Sequence, residues 1–262
     1  MEKDFQGYHI DGEFPEGFSS VIESWFAVIH DYEEKTRFGR ESGASIYWYS
    51  ERTNVGAFAA ALSRNNITVI EEYACKKVIE GKEIQGRADI SFFYEHQWYL
   101  AEAKMHWEML SSQLQYSFDE KVLENSISDA ACSWEGDKNT IPLGLTFIVP
   151  AFPASNKDAV TTSVQAFIDQ FEKVNPRGFW AYCAPARLRY LQSSRGGRAF
   201  YPLVIMRKVF VNTLNIVARS ITDMTSKISS DVNPSSISFS KSASSTLSAF
   251  SATFDTNSMM HR

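Results

Sequence analysis

The sequence predicts an α/β fold, a central mixed β-sheet flanked by helices, and three observations carry that expectation. A stripe of apolar residues at helical spacing opens the chain, two short aromatic-rich runs in the middle read as a β-hairpin, and the strongly apolar run Leu143–Val149 is followed by a helical and then another strand-like segment. The 262 residues are enough for one sizeable core or two small ones, and the 14% aromatic content suits a well-packed interior.

Residues 17–35 place Phe18, Val21, Ile22, Trp25, Phe26, Ile29 and Tyr32 on one face of a helix, a stripe that fits core or partner packing. Residues 51–64 read as a second helix, with Ser50 as its N-cap, Glu51 in the first turn and an Ala-rich body. A strand is expected over 67–78, then the hairpin, then a helix over about 109–131 bearing Gln113, Gln115, Tyr116 and Lys121 near its start. Strand 143–149 leads to a helix over 159–174, capped by Ser155 or Asn156, and to a strand over 178–183. Two further strands flank the Ser193–Gly197 loop, and a last helix is expected over 211–228. From Ser229 the chain is serine-dominated, a composition that stays disordered or folds against a partner. The expected organisation is an N-terminal helical extension over 1–40, a central domain over 41–228 and a low-complexity tail over 229–262.

The hairpin segment GRADISFFYEHQWYLAEAKMHW carries the chemistry. Charge inside apolar strands is costly unless it is paired or holds a metal, and here Asp89, Glu102 and Lys104 interrupt such strands. With His96-Gln97 as a two-residue turn, Asp89 faces Lys104 and Ser91 faces Glu102, and all four side chains share one face. Asp89 and Glu102 are then diagonal neighbours roughly 7–8 Å apart. A one-residue slip would put Asp89 on the opposite face. Acid-x-Lys triplets recur at 33–35, 80–82 and 119–121, but only Glu102-Ala103-Lys104 lies in a strand-like run behind an acid on a strand-like partner.

The string Gly86-Arg87-Ala88-Asp89, a hairpin, and then Glu102-Ala103-Lys104 resembles the core of the PD-(D/E)xK nuclease superfamily, with Ala88 where the family name has Pro. The resemblance covers about residues 45–150 and implies a restriction-endonuclease-like core: an acidic first helix, a strand, the Asp strand, the Glu-x-Lys strand, a second helix and a further strand. It implies a metal-dependent nuclease in which Asp89, Glu102 and the main-chain carbonyl of Ala103 hold Mg²⁺ or Mn²⁺. Lys104 then orients or deprotonates the water or stabilises the oxyanion. Glu51 matches the family's first-helix acid; as a residue, it is equally a partner of the helix dipole. The resemblance also implies a biological setting in bacterial anti-phage or restriction-type systems. A non-catalytic subunit that keeps the fold and docks nucleic acid or protein is the alternative.

Charge is segregated along the chain. Residues 174–222 contain no acid and carry Arg177, Arg187, Arg189, Arg195, Arg198, Arg207, Lys208 and Arg219, so a +8 segment sits within a chain of net charge −5. That asymmetry points to a polyanion, with Arg187, Arg189, Arg195, Arg198 and Lys208 as the expected contacts, and the resemblance implies DNA in preference to RNA. A protein partner or self-association stays open. Cys75, Cys132 and Cys183 have no CxxC spacing, so reduced thiols and a cytoplasmic location are expected. The five histidines form no pair with ligand spacing, and His106 alone is close to the catalytic triplet. Neither a secretory pattern at Met1 nor an apolar run of membrane-spanning length is present, so no membrane contact is expected.

Overall fold

Alternation along one strand explains the layering. The computed structural model describes residues 4–10, 17–36, 44–79, 82–110, 120–133, 139–153, 160–174, 179–188 and 199–210. The long strand β5 (Thr140–Pro153) sends Leu143, Leu145, Phe147 and Val149 into one core and Ile148 and Phe152 into another. A strand buried on both faces needs an almost unbroken apolar run, which is what 143–149 supplies.

Among the described residues the sheet has eight strands. Its order is β1 (Phe5–Ile10), β6 (Phe179–Ala184), β8 (Val204–Phe210), β5, β4 (Gln97–Met109), β3 (Lys82–Tyr94) and β2 (Thr68–Ile79), with β7 (Ala199–Phe200) paired to the end of β5. It is mixed but mostly antiparallel, and β4 and β5 are the one parallel pair among the described strands. Helix α1 (Ser19–Thr36) and helix α2 (Glu51–Arg64) cover one face, where Phe18, Trp25, Phe58 and Phe92 pack together. Helix α3 (Glu120–Ser133) lies against β4 and β5 on the other face, beside helix α4 (Val160–Val174), which buries Val160, Val164, Phe167, Ile168 and Phe171 at helical spacing. No described helix is long and apolar enough to cross a membrane. All three cysteines are free.

Three expectations are corrected. Residues 1–40 are not an appendage: β1 extends the sheet by pairing with β6, and α1 is part of the main core. The strand expected to stop before 109 runs through Met109, held there by parallel pairing from Trp98↔Thr140 to Met109↔Ala151, and α3 begins only at Glu120. The strand expected before Ser193 lies outside the described residues, which resume after the 3-10 turn Ala186–Leu188 at β7. The hairpin turn is Glu95-His96, one residue earlier than expected, with both residues left-handed at φ 44 and 67. A two-residue turn of that hand matches strand twist, but it is normally marked by Asn or Gly, which this sequence lacks. The expected 211–228 helix, the Ser155 or Asn156 cap, Gln113, Gln115 and Tyr116 lie outside the described residues.

Candidate active site

Moving the turn by one residue moves every cross-strand partner by two, so the faces are preserved. Tyr94 faces Gln97, Ser91 faces Leu100 and Ile90 faces Ala101, where pairing between β3 and β4 ends. The expected opposition of Asp89 to Lys104 and of Ser91 to Glu102 is therefore replaced. Beyond Ile90 the two strands part, and the site lies at that parting.

The cause is a distortion shared by β2 and β3. Their register is continuous except at Glu72 and Asp89, which do not pair, and Glu72 adopts φ 53. Before this point Glu71 reaches towards Gly56 of α2, whereas after it Lys77 reaches Glu102 on the α3 side. The alternation thus skips a step. It turns Ala88 and Cys75 to pack with Leu100 and frees the Asp89 carboxylate to point into the gap.

Two main-chain N–H groups on that edge of β4 are met by carboxylates. Ala103 N–H donates to Asp89 Oδ2 at 2.7 Å, and Met105 N–H donates to Glu51 Oε2 at 2.9 Å. Residues 103 and 105 share an edge because strand hydrogen-bonding groups alternate, and the two acids stand where β3 would have supplied ladder partners. Glu51 is aimed there by the start of α2, whose cap Ser50 accepts Thr53 N–H at 3.3 Å.

On the α3 face of β4, Glu102 is only 3% exposed. Its Oε1 accepts from Lys77 Nζ at 2.6 Å and from the Ser133 hydroxyl at 2.5 Å. Lys104 Nζ lies 2.6 Å from Asp129 Oδ2. Alternation continues to His106, whose Nε2 is 2.7 Å from the buried Glu108 carboxylate. Gly144, paired with Glu102 across the parallel ladder, lets α3 come this close, since a Cβ there would stand 2.7 Å from Ser126 Oγ and 2.9 Å from Ile127 N.

The electrostatics follow from this packing. Burial pushes the Glu51 carboxyl above its usual range, opposed by Lys104 and reinforced by Asp89 and Asp129. Burial likewise lifts Glu102, against the pull of Lys77 and Ser133. Burial alone would lower the Lys104 ammonium, but the hydrogen bond and charge of Asp129, with Glu51 and Asp89 behind them, raise it above its ordinary value. Lys104 is therefore held as a cation in this arrangement, suited to stabilising negative charge.

Lys77, Ser133 and Asp129 were missed from sequence. Asp129 and Ser133 had a signal, because an i, i+4 pair shares one helix face. Lys77 had none, since it adjoins Lys76, whose ammonium pairs with Glu83 in solvent. Of the expected nucleic-acid contacts, Arg187 is exposed on the 3-10 turn, while Lys208 is 4% exposed with its ammonium 5.6 Å from the centre of the Phe179 ring. An interior lysine is out of reach of a polymer backbone, so Lys208 leaves that set. Arg189, Arg195 and Arg198 lie outside the described residues.

The donor chemistry suits a hard divalent cation. Glu51, Asp89 and Glu102 are each anchored through one oxygen, and the second oxygen takes part in none of those bonds. As they stand, no group of three or more His, Cys, Asp or Glu side chains among the described residues is gathered closely enough to hold an ion. No family model, curated protein or solved structure matches the chain.

Proposed function

We propose that the protein is a metal-dependent phosphodiesterase acting on nucleic acid, with DNA as the favoured substrate. The observation that carries this reading is the parting of β3 from β4, with Glu51 and Asp89 on the freed edge of β4 and Glu102 and Lys104 on the adjoining face of the same strand. The order α2, β2, β3 with Asp89, β4 with Glu102-Ala103-Lys104, α3 and β5 supports the resemblance to the PD-(D/E)xK superfamily and its restriction-endonuclease-like core. An anti-phage or restriction-type role is the setting that resemblance suggests.

Asp89, Glu102 and the Ala103 carbonyl, which shares the parted edge with its own N–H, would hold Mg²⁺ or Mn²⁺, with Glu51 within electrostatic reach. A bound divalent ion acidifies water and offsets charge on the phosphoryl group. Lys104 contributes a fixed positive charge towards the phosphoryl oxygens, and Asp129 orients it. Lys77 and Ser133 fix the Glu102 rotamer through Oε1, which leaves Oε2 for a ligand.

Plasmid, linear duplex, single-stranded DNA and RNA should be incubated with Mg²⁺, with Mn²⁺ and with chelator. Metal-dependent cleavage is expected, lowered about 10²-fold or more in Asp89→Ala and in Lys104→Ala. Equal cleavage by wild type and both variants would overturn the assignment. A second reading, a non-catalytic nucleic-acid-binding module, is favoured by the Lys77–Glu102 ion pair, which already neutralises the most buried acid of the site. Binding without metal-dependent cleavage of any of the four substrates would establish it instead.

A further inference from the structure

The distortion that opens the site also gathers two arginines outside it. Glu72, at the kink, has Arg87 Nη1 3.3 Å from Oε2 and Arg52 Nη1 3.7 Å from Oε1. The first contact is a hydrogen bond and the second is too long for one, so Arg52 is held by charge alone. Their side chains are 70% and 78% exposed, against 35% for Glu72, so most of the guanidinium donors face solvent. Arg52 adjoins Glu51 in the first turn of α2, and Arg87 lies two residues before Asp89 on β3. Two forked donor groups, drawn from different elements onto one carboxylate, are therefore carried within two residues of the acids that cap β4.

We propose that Arg52 and Arg87 form a binding site for the phosphodiester backbone of a nucleic acid, taking phosphates next to the one that enters the gap between β3 and β4, with Glu72 holding the pair in place when nothing is bound. The proposal rests on the nuclease reading of that gap. Guanidinium groups suit it because the planar fork accepts phosphate oxygens two at a time. The pair carries net positive charge after Glu72 is counted, and it lies on elements other than the 174–222 segment where the sequence concentrates its arginines. An ordinary surface ion-pair cluster would have a different signature, because its loss would change stability slightly and leave nucleic-acid binding and its salt dependence untouched.

The test uses the full chain with fluorescein-labelled 20-mer DNA, single-stranded and duplex, followed by anisotropy in chelator between 50 and 300 mM salt. Cleavage of the same oligonucleotides in Mg²⁺ and Mn²⁺ runs in parallel. Arg52→Gln/Arg87→Gln should weaken binding at least tenfold at the lowest salt. It should also flatten the slope of log affinity against log salt by roughly 1.4 on single strands and 1.8 on duplex, as expected for two lost phosphate contacts. Glu72→Gln, which removes a competing anion and leaves both arginines, should bind as tightly as wild type or more tightly. An unchanged slope in the double variant would overturn the proposal, and so would equal losses in Glu72→Gln and the double variant. Wild type that binds with the expected slope but cuts nothing would defeat the hydrolytic reading alone, leaving the phosphate site standing.

Discussion

The Lys77–Glu102 pair is where one residue decides most. Breaking a buried ion pair from one side strands the other charge, at a cost of about 3–5 kcal/mol, whereas replacing both partners with neutral groups is far milder. Lys77→Met should therefore lose about 3 kcal/mol of unfolding free energy in urea, and Lys77→Met/Glu102→Gln should recover most of it. Equal losses in the single and double variants would show that Lys77 does not compensate Glu102. The Lys104–Asp129 pair is half open to solvent and is worth at most about 1 kcal/mol. Because the folded protein holds Lys104 above its unfolded value, this contribution is complete below the ordinary lysine pKa and disappears as pH rises through the raised one. The stability gap between wild type and Asp129→Asn should thus be flat from pH 7 to about 9 and close in strong alkali, as followed by thermal melts. At this scale the shared face of Ser91, Glu102 and Lys104 was legible because alternation survives a turn placed one residue off, whereas the break in alternation at Asp89 was not. The role of Lys77 as partner of Glu102 was not legible either, since no local pattern distinguishes it from its exposed neighbour Lys76.

Among the elements, α3 determines the geometry of the site, and it can approach only because Gly144 has no side chain. Gly144→Ala would bring a methyl against Ser126 and the Ile127 backbone, so α3 must move. A loss of about 1–3 kcal/mol is expected, together with loosened Ser133 and Asp129 contacts. Ser50→Ala removes the cap of α2 and should cost about 1 kcal/mol, and it should also loosen the Glu51 bond to Met105. Both effects are readable by denaturation combined with amide hydrogen exchange at 103 and 105. Faster exchange at Met105 in Ser50→Ala, with Ala103 unchanged, would separate the role of Glu51 from that of Asp89. Helices α1, α2 and α4 were legible because their apolar residues follow helical spacing and α2 has a recognisable cap. The boundary near 109 was not, because Met109 is held in a strand by β5, forty residues later, and local sequence carries no trace of that pairing. The kink at Glu72 was hidden for a similar reason: neither Gly nor Pro marks it, and it is visible only where β2 and β3 fail to pair.

At the scale of the molecule, a mixed eight-stranded sheet places three acids and a lysine at a break between two strands, with helices covering both faces. The α/β class was legible from the alternation of helical and strand-like runs, but β1 was not. Phe5–Ile10 becomes a strand by pairing with β6, far away in sequence. Metal-dependent hydrolysis at this site requires the gap between β3 and β4 to accept a divalent cation, and crystals grown with Mn²⁺ test this most directly through its anomalous scattering. A peak is expected within about 2.0–2.4 Å of oxygens from Asp89, Glu102 and the Ala103 carbonyl, absent from crystals of Asp89→Ala. Crystals at saturating Mn²⁺ that show no peak in the gap, with Lys77 still on Glu102 and Asp89 still on Ala103 N–H, would contradict it.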